Sequence, residues 1–426
     1  MSFYIIDNQT NIDMYKERLI DEKIARKLKS TGGILLKGAR FCGKTTTAMK
    51  HSASMVRLDS SEQIREQATL MPEIVLAGDT PRLIDEWQLV PSIWNAVRYE
   101  IDQRATKGQF ILTGSSSPSD DISTHTGAGR FARISLRTMS LTESKDSHQV
   151  VNFRNCFSKG TTVGGFGGAK FKDYAHFLVR GGMPALVDET SEIAQEAMRD
   201  YVENISYIDM QRLDNPPTPE RIAALIRSLA RNISTEVTLE KLAAETGLIL
   251  PNAIAASTVR KYLDQLSEIF ILEEQPSWKT HVRSTVQQRI KPKWHFVDPS
   301  IAAAALGLTA TSLLKDIEAF GLFFESMVIR DLRIYADVLD AKVYHYRDSS
   351  GLEIDAIVEL PNETFAAFEI KLGSTSSIDL AAVNLQKFLT RLNPEKAAKC
   401  SSLNVIIAGS SSYTRKDNVN VRSEER

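Results

Sequence analysis

Cysteine is scarce in this chain: Cys42, Cys156 and Cys400 are all it has in 426 residues, and no two form a C-x-x-C pair. A disulfide framework or a Cys-ligated structural zinc site is not expected, and a reducing compartment is. No charge of one sign dominates. Lys plus Arg number 52 against 53 for Asp plus Glu, a formal net charge of -1. No overall basic field therefore draws the chain onto nucleic acid or an anionic membrane, and any such binding must come from a local patch. Long apolar runs are also missing. The longest uncharged stretch, Pro299 to Leu314, is interrupted by Ser, Thr and Gly and falls short of a membrane span. The opening residues lack the basic-then-apolar pattern of a secretory leader. The expectation is a cytoplasmic protein with no membrane contact.

Hydrophobic residues at 42% and charged residues at 25% describe an ordinary globular chain and exclude disordered and fibrous classes. At this length one core does not suffice, so several domains are expected. Residues 12–29 read as an amphipathic helix carrying Ile12, Leu19, Ile20, Ile24 and Leu28 on one face. Short apolar strands follow at Ile34–Leu36, Met55–Leu58, Arg82–Ile84, Phe110–Leu112 and Phe131–Leu136. Their alternation with helical stretches predicts a parallel α/β sheet over about the first 140 residues. Gly160–Gly168, rich in glycine, reads as a flexible linker. Helices are expected over 171–213, 219–232, 238–246, 257–270 and 314–335. Extended structure is expected from Lys279 to Phe296, and strands at 353–359, 365–372 and 403–408. The residues beyond read as a mobile polar tail.

Gly38-Ala39-Arg40-Phe41-Cys42-Gly43-Lys44-Thr45, followed by Thr46, fits the phosphate-binding loop pattern between a strand and a helix. Glycines let backbone N–H groups close round phosphate oxygens, and the helix N-terminus adds partial positive charge. Lys44 would reach the β- and γ-phosphates, and the Thr45 hydroxyl would hold Mg²⁺. Such a loop needs a carboxylate on a neighbouring strand, which Leu83-Ile84-Asp85-Glu86 supplies. Asp85 would support the metal and Glu86 would polarise the attacking water, which points to hydrolysis rather than nucleotide storage. Phe110-Ile-Leu-Thr113-Gly-Ser115 ends at the same sheet edge; either Thr113 or Ser115 could sense the γ-phosphate. Arg130 has two readings, a solvated surface residue or an arginine finger acting in cis or from a neighbouring subunit.

Taken together, the loop, the Leu-Ile-Asp85-Glu86-Trp-Gln stretch, the Leu-Thr-Gly-Ser-Ser-Ser strand and Gly129-Arg130 resemble a prokaryotic family of AAA-type ATPases joined to a C-terminal domain of unknown function. Gly181-Gly-Met-Pro184, Lys291-Pro-Lys293 with Phe296-Val-Asp298, and Phe368-Glu-Ile-Lys371-Leu-Gly extend the resemblance along nearly the whole chain. It implies ATP as the nucleotide and a regulatory or defence-like ATPase.

The helices at 238–246 and 257–270, the second carrying Val259, Tyr262, Leu263, Leu266 and Ile269 on one face, resemble a winged helix-turn-helix. The wing would span Gln275–His295, with Lys279, Arg283, Arg289, Lys291 and Lys293, no acid, and Trp278 and Trp294 at its flanks. Double-stranded DNA could lie along Lys279–Lys293. The alternative is a hairpin whose tryptophans pack inward, serving a protein partner. Further on, Asp355, Glu369 and Lys371, with Glu325 on the preceding helix, match the arrangement of PD-(D/E)xK nucleases. Glu369 and Lys371, two apart on a strand, share a face, and with Asp355 they could hold a divalent cation. An inert domain that kept the fold and a salt-bridged trio is the alternative.

The expected layout is an α/β multidomain chain. An AAA-type P-loop ATPase fills 1–145 and a Gly-rich linker 146–170. A helical and winged-helix region occupies 171–300 and a restriction-endonuclease-like α/β domain 301–413, before a polar tail at 414–426. The expected activity is Mg²⁺-dependent ATP hydrolysis controlling the second half. The alternatives are a slow ATP-gated protein-binding switch and an ATP-controlled DNA endonuclease. A homo-oligomer is compatible with all three.

Overall fold

The computed structural model describes residues 15–114, 128–147, 152–167, 169–212, 216–248, 254–279 and 291–423. They divide into two units, Met1–Thr138 with Glu268–Phe270, and Met139–Ser267 with Ile271–Arg426.

In the first unit the apolar run Gly33–Lys37 forms β1, with Ile34, Leu35 and Leu36 wholly buried. A strand buried on both faces needs such a run rather than alternation. β2 (Ser54–Arg57), β3 (Arg82–Asp85), β4 (Phe110–Gly114) and β5 (Phe131–Ser135) complete a sheet ordered β2-β3-β4-β1-β5. Every pairing in it is parallel. Period-2 geometry assigns side chains to the two faces. Ile34, Leu36, Leu83 and Ile111 pack with Ile24, Ala48 and Met49 on one side. Leu35, Ile84, Phe110 and Leu112 pack with Trp87, Trp94 and Val97 on the other. Each buried aliphatic contributes about 1.5–3 kcal/mol, so the sheet is the rigid floor of the unit.

The first described helix is Asp21–Leu28, shorter than the expected 12–29. The Asp21 carboxylate accepts from the Arg18 backbone N–H at 3.0 Å and the Tyr15 hydroxyl at 2.8 Å. These bonds hold residues 15–20 in a non-helical approach; 12–14 lie outside the described residues.

The second unit has a seven-stranded mixed sheet and a hairpin. β6 (Gly164–Phe166), β7 (Leu272–Gln275), β8 (Lys293–Phe296), β9 (Lys342–Arg347), β10 (Glu353–Glu359), β11 (Phe365–Lys371), β12 (Cys400–Ile407), β13 (Ser411–Thr414) and β14 (Val419–Ser423) follow in order. The large sheet runs β6-β13-β14-β12-β11-β10-β9, and β7 and β8 pair antiparallel by themselves. Helices occupy Phe171–Arg180, Ser191–Asn204, Pro219–Arg231, Leu239–Gly247 and Ala256–Glu268, and the uncharged stretch forms two more, Pro299–Leu306 and Ala310–Lys315. The long helix Ile317–Val338 is buried along most of its length. Helix Thr375–Arg391 packs Leu385 and Phe388 onto Trp278, Ile357, Phe365 and Val405 of the main core.

Two expectations are corrected here. The Gly-rich segment is not a free linker, because β6 pairs antiparallel with Ser411–Tyr413. An edge strand with two glycines is held by backbone bonds alone and shows no hydrophobic period. Gly168 lies outside the described residues. Nor are residues 414–423 a polar tail: β14 sits between β12 and β13, with Val419 and Val421 wholly buried, while 424–426 lie outside the described residues. Its composition looks polar because Asn420 and Arg422 alternate with the valines, yet both are buried, Asn420 accepting from the Thr414 hydroxyl at 2.8 Å.

Truncation after Tyr413 should therefore abolish the cooperative melting of the second unit, seen by circular dichroism. A chain that melts unchanged without residues 414–426 would contradict this placement of β14.

Candidate functional site

Strand order brings three chain segments together. β4 lies between β1 and β3, so the loop after β1, the acids ending β3 and Thr113 of β4 meet at the carboxyl edge of one parallel sheet. The loop conformation is demanding. Gly43 takes φ 95°, a left-handed value that favours glycine, and a Cβ at Gly38 would stand 2.1 Å from the Leu136 carbonyl oxygen. Phe41 is left-handed at φ 61° and exposed, and Thr46 is exposed too. Ala39 and Cys42 are buried, with Cys42 Sγ 3.4 Å from the Leu136 carbonyl oxygen. That buried, hydrogen-bonded thiol is a small packing residue. Arg18 Nη1 braces the loop by donating to the Cys42 carbonyl at 3.0 Å.

Lys44 Nζ, buried, donates to the Gly38 and Ala39 carbonyls at 2.9 and 2.8 Å. The ammonium thus caps the loop from which phosphate would draw it. Thr45 Oγ1 donates to Asp85 Oδ1 at 2.9 Å, and Thr113 Oγ1 donates to the same oxygen. Asp85 and Thr113 are fully buried. A hydroxyl beside a buried carboxylate is an oxygen donor set of the kind Mg²⁺ takes while keeping its waters, so these residues fit the metal. Ser115 lies outside the described residues.

Glu86 follows in a left-handed conformation, φ 55°, costly for a residue with a Cβ and often stored at functional positions. Its carboxylate accepts a bond from Gln88 Nε2. Burial first, then the Asp85 charge, pushes its pKa above the usual carboxylate range, while Lys44 opposes the shift, as does, more weakly, Arg40. Sequence reading missed Gln88, and also Arg57, which ends β2 with its Nε 3.7 Å from Asp85 Oδ2. Only the register Arg57↔Asp85 reveals that neighbour.

Arg130 is elsewhere. β1 and β5 pair from Gly33↔Phe131 to Lys37↔Ser135, so Arg130 precedes its strand at the amino edge. The loop lies a strand length of roughly 17 Å away. Its guanidinium pairs with Asp102 at 2.6 Å. An arginine finger acting in cis is thereby excluded.

The other constellation lies in the second unit. β10 and β11 pair antiparallel through Ala356↔Phe368. Lys371 Nζ stands 3.0 Å from Asp355 Oδ2 and 2.6 Å from Glu369 Oε2. Glu325 accepts from Lys293 Nζ at 2.9 Å. Lys293 is buried at 5% exposure, which corrects its reading as a nucleic-acid contact. Trp278 and Trp294 are buried as well. Of the wing's basic residues, Lys279 and Lys291 are exposed, while Arg283 and Arg289 lie outside the described residues.

Burial, reinforced by Asp355, raises Glu369 from 4.5 to about 8, and burial raises Glu325 to about 7 despite Lys293. Folding therefore retains protons that the unfolded chain has lost between pH 4.5 and about 8. Stability of the second unit should fall as pH rises through that window. Urea titrations across the range should show the decline, and Glu369→Gln should flatten it; an unchanged slope would refute the assignment.

Residues 30–145 match a family described as an AAA domain. Residues 171–312 and 320–423 match two domains of unknown function, DUF8612 and DUF4143. Uncharacterized proteins of Mycobacterium tuberculosis and Mycobacterium bovis are each 24% identical over 368 residues, spanning 84% of this chain and 74% of theirs. A Walker-type ATPase of Pyrococcus abyssi is 11% identical, with a TM-score of 0.42 over 71% of this chain and 96% of that one, a likeness too remote to assign anything. Among the described residues no helix is long and apolar enough to cross a membrane. The chain carries an AAA-type nucleotide-binding ATPase domain joined to a separate C-terminal domain of unknown function.

Proposed function

We propose that this chain is a Mg²⁺-dependent ATPase whose nucleotide state controls a winged-helix and nuclease-like second unit. The observation that carries the reading is the meeting of Thr45, Asp85 and Thr113 beside Glu86 at the edge where the loop opens. Thr45 and Asp85 would hold Mg²⁺, which when bound neutralises phosphate charge. Lys44 exchanges the Gly38 and Ala39 carbonyls for β- and γ-phosphate oxygens. Glu86 takes the proton of the water that attacks the γ-phosphorus, and ADP leaves with the bridging oxygen. Its raised pKa makes it a better proton acceptor than an exposed carboxylate. Besides Lys44 and Arg40, Arg57 is a cation on this edge that could meet developing charge in cis; Arg130 could do so only from a neighbouring subunit of a homo-oligomer.

The Gln88 bond to Glu86 favours a second reading, a slow switch. While Gln88 holds the carboxylate, Glu86 cannot align water, so turnover waits on a partner that shifts it. With Lys293, Trp278 and Trp294 turned inward, a protein partner is better supported than double-stranded DNA, which retains Lys279 and Lys291.

Lys44→Ala should abolish nucleotide binding in equilibrium titrations. Glu86→Gln should bind ATP normally and lose turnover by about 10²–10⁴-fold. Tight ATP binding by the alanine variant would sink the phosphate-loop assignment. Gln88→Ala should raise basal turnover if the switch reading holds, and leave it unchanged otherwise.

A further inference from the structure

We propose that the nuclease-like constellation of the second unit takes no metal, because Lys293 stands in place of a divalent cation and closes the cluster as a self-neutralising ionic lock. This is independent of the ATPase reading and rests only on residues of the second unit.

The cluster holds three carboxylates, Glu325, Asp355 and Glu369, and each is already bonded to an ammonium. Lys371 serves two of them, Asp355 at 3.0 Å and Glu369 at 2.6 Å. Lys293 serves Glu325 at 2.9 Å. Asp355 Oδ2 also accepts the Ile370 backbone N–H at 2.8 Å, so its bonded oxygen is doubly engaged. A divalent ion would have to bind through the remaining carboxylate oxygens while Lys371 and Lys293 hold the others. It would then place two positive charges beside the buried Lys293 ammonium and the half-buried Lys371 ammonium. Three carboxylates against two lysines leave one negative charge, which a single shared proton cancels. Among the described residues no three His, Cys, Asp or Glu side chains are grouped to hold a metal. The donor set therefore does not fit the cation.

The same residues show what the cluster does instead. Lys293 and Gln275 are the cross-strand pair at the end of β7 and the start of β8, where the two strands are connected. Lys293 reaches Glu325 on the long helix, and Gln275 Nε2 donates to the Asp355 carbonyl of β10 at 3.0 Å. Gln275 Oε1 is in turn 2.9 Å from His295 Nε2 on β8. One pair thus pins the hairpin to both helix Ile317–Val338 and the sheet. The lysine that would have counted toward nucleic-acid binding is consumed in holding the hairpin down.

The test is a Mn²⁺ titration followed by electron paramagnetic resonance, on the full chain without nucleotide. Wild type and Glu369→Gln should give superimposable isotherms, and so should Asp355→Asn. Loss of one Mn²⁺ equivalent in either variant would overturn the proposal, as would Mn²⁺-dependent DNA cleavage by wild type that disappears in Asp355→Asn. A second arm reads the lock itself. Lys293→Met leaves Glu325 without its partner and should lower the melting temperature by on the order of 5–10 °C. Adding Glu325→Gln should recover most of that loss. A double variant no more stable than Lys293→Met alone would equally contradict the lock.

Discussion

The first unit depends on one carboxylate. Asp85 is a fully buried acid whose Oδ1 accepts from Thr45 at the helix that follows the phosphate loop and from Thr113 on the next strand. A buried, unsatisfied carboxylate would be costly, and these hydroxyls remove that cost by fixing three segments against one another. The parallel order that seats β4 between β1 and β3 makes the arrangement possible. The groups that satisfy Asp85 are also those proposed to meet the metal and the γ-phosphate. Structural need and chemistry coincide there, and Glu86, one residue on, takes up the backbone strain.

The second unit manages its charges differently. Arg330 links Asp298 and Asp331 at full burial, and those carboxylates accept the Gly182 and Leu141 backbone N–H groups. This network, like the Lys293–Glu325 pair, ties residues distant in sequence to helix Ile317–Val338. Such networks fix register because breaking one partner strands a charge without water. The Gly181-Gly182 turn has a packing reason in the same place: a Cβ on Gly182 would lie 2.1 Å from the Met139 carbonyl oxygen.

Much of this was legible in the sequence, and the failures have specific causes. The phosphate loop is contiguous, because a backbone cradle must be built from neighbouring residues, so Gly38 to Thr45 announced itself. The strand end carrying Asp85 was equally visible. Arg130 kept both its readings although the signal against a finger acting in cis existed: a residue before a parallel strand lies at the edge opposite a loop that follows one. Lys293 was hidden because its partner, Glu325, is 32 residues on, and a run of bases without acids reads as a solvated face. β6 and β14 were missed because glycine leaves no period and because Asn420 and Arg422 mask the valine alternation. Arg57 and Gln88 needed register and rotamer, which no local pattern carries.

Steady-state ATP hydrolysis as a function of Mg²⁺, comparing wild type with Asp85→Asn, tests the central claim most directly. Wild type should show Mg²⁺-dependent turnover, and the asparagine variant should lose it while the unit stays folded, since the amide oxygen can still accept from Thr45 and Thr113. Turnover in Asp85→Asn equal to wild type at every Mg²⁺ concentration would contradict the role given to this carboxylate.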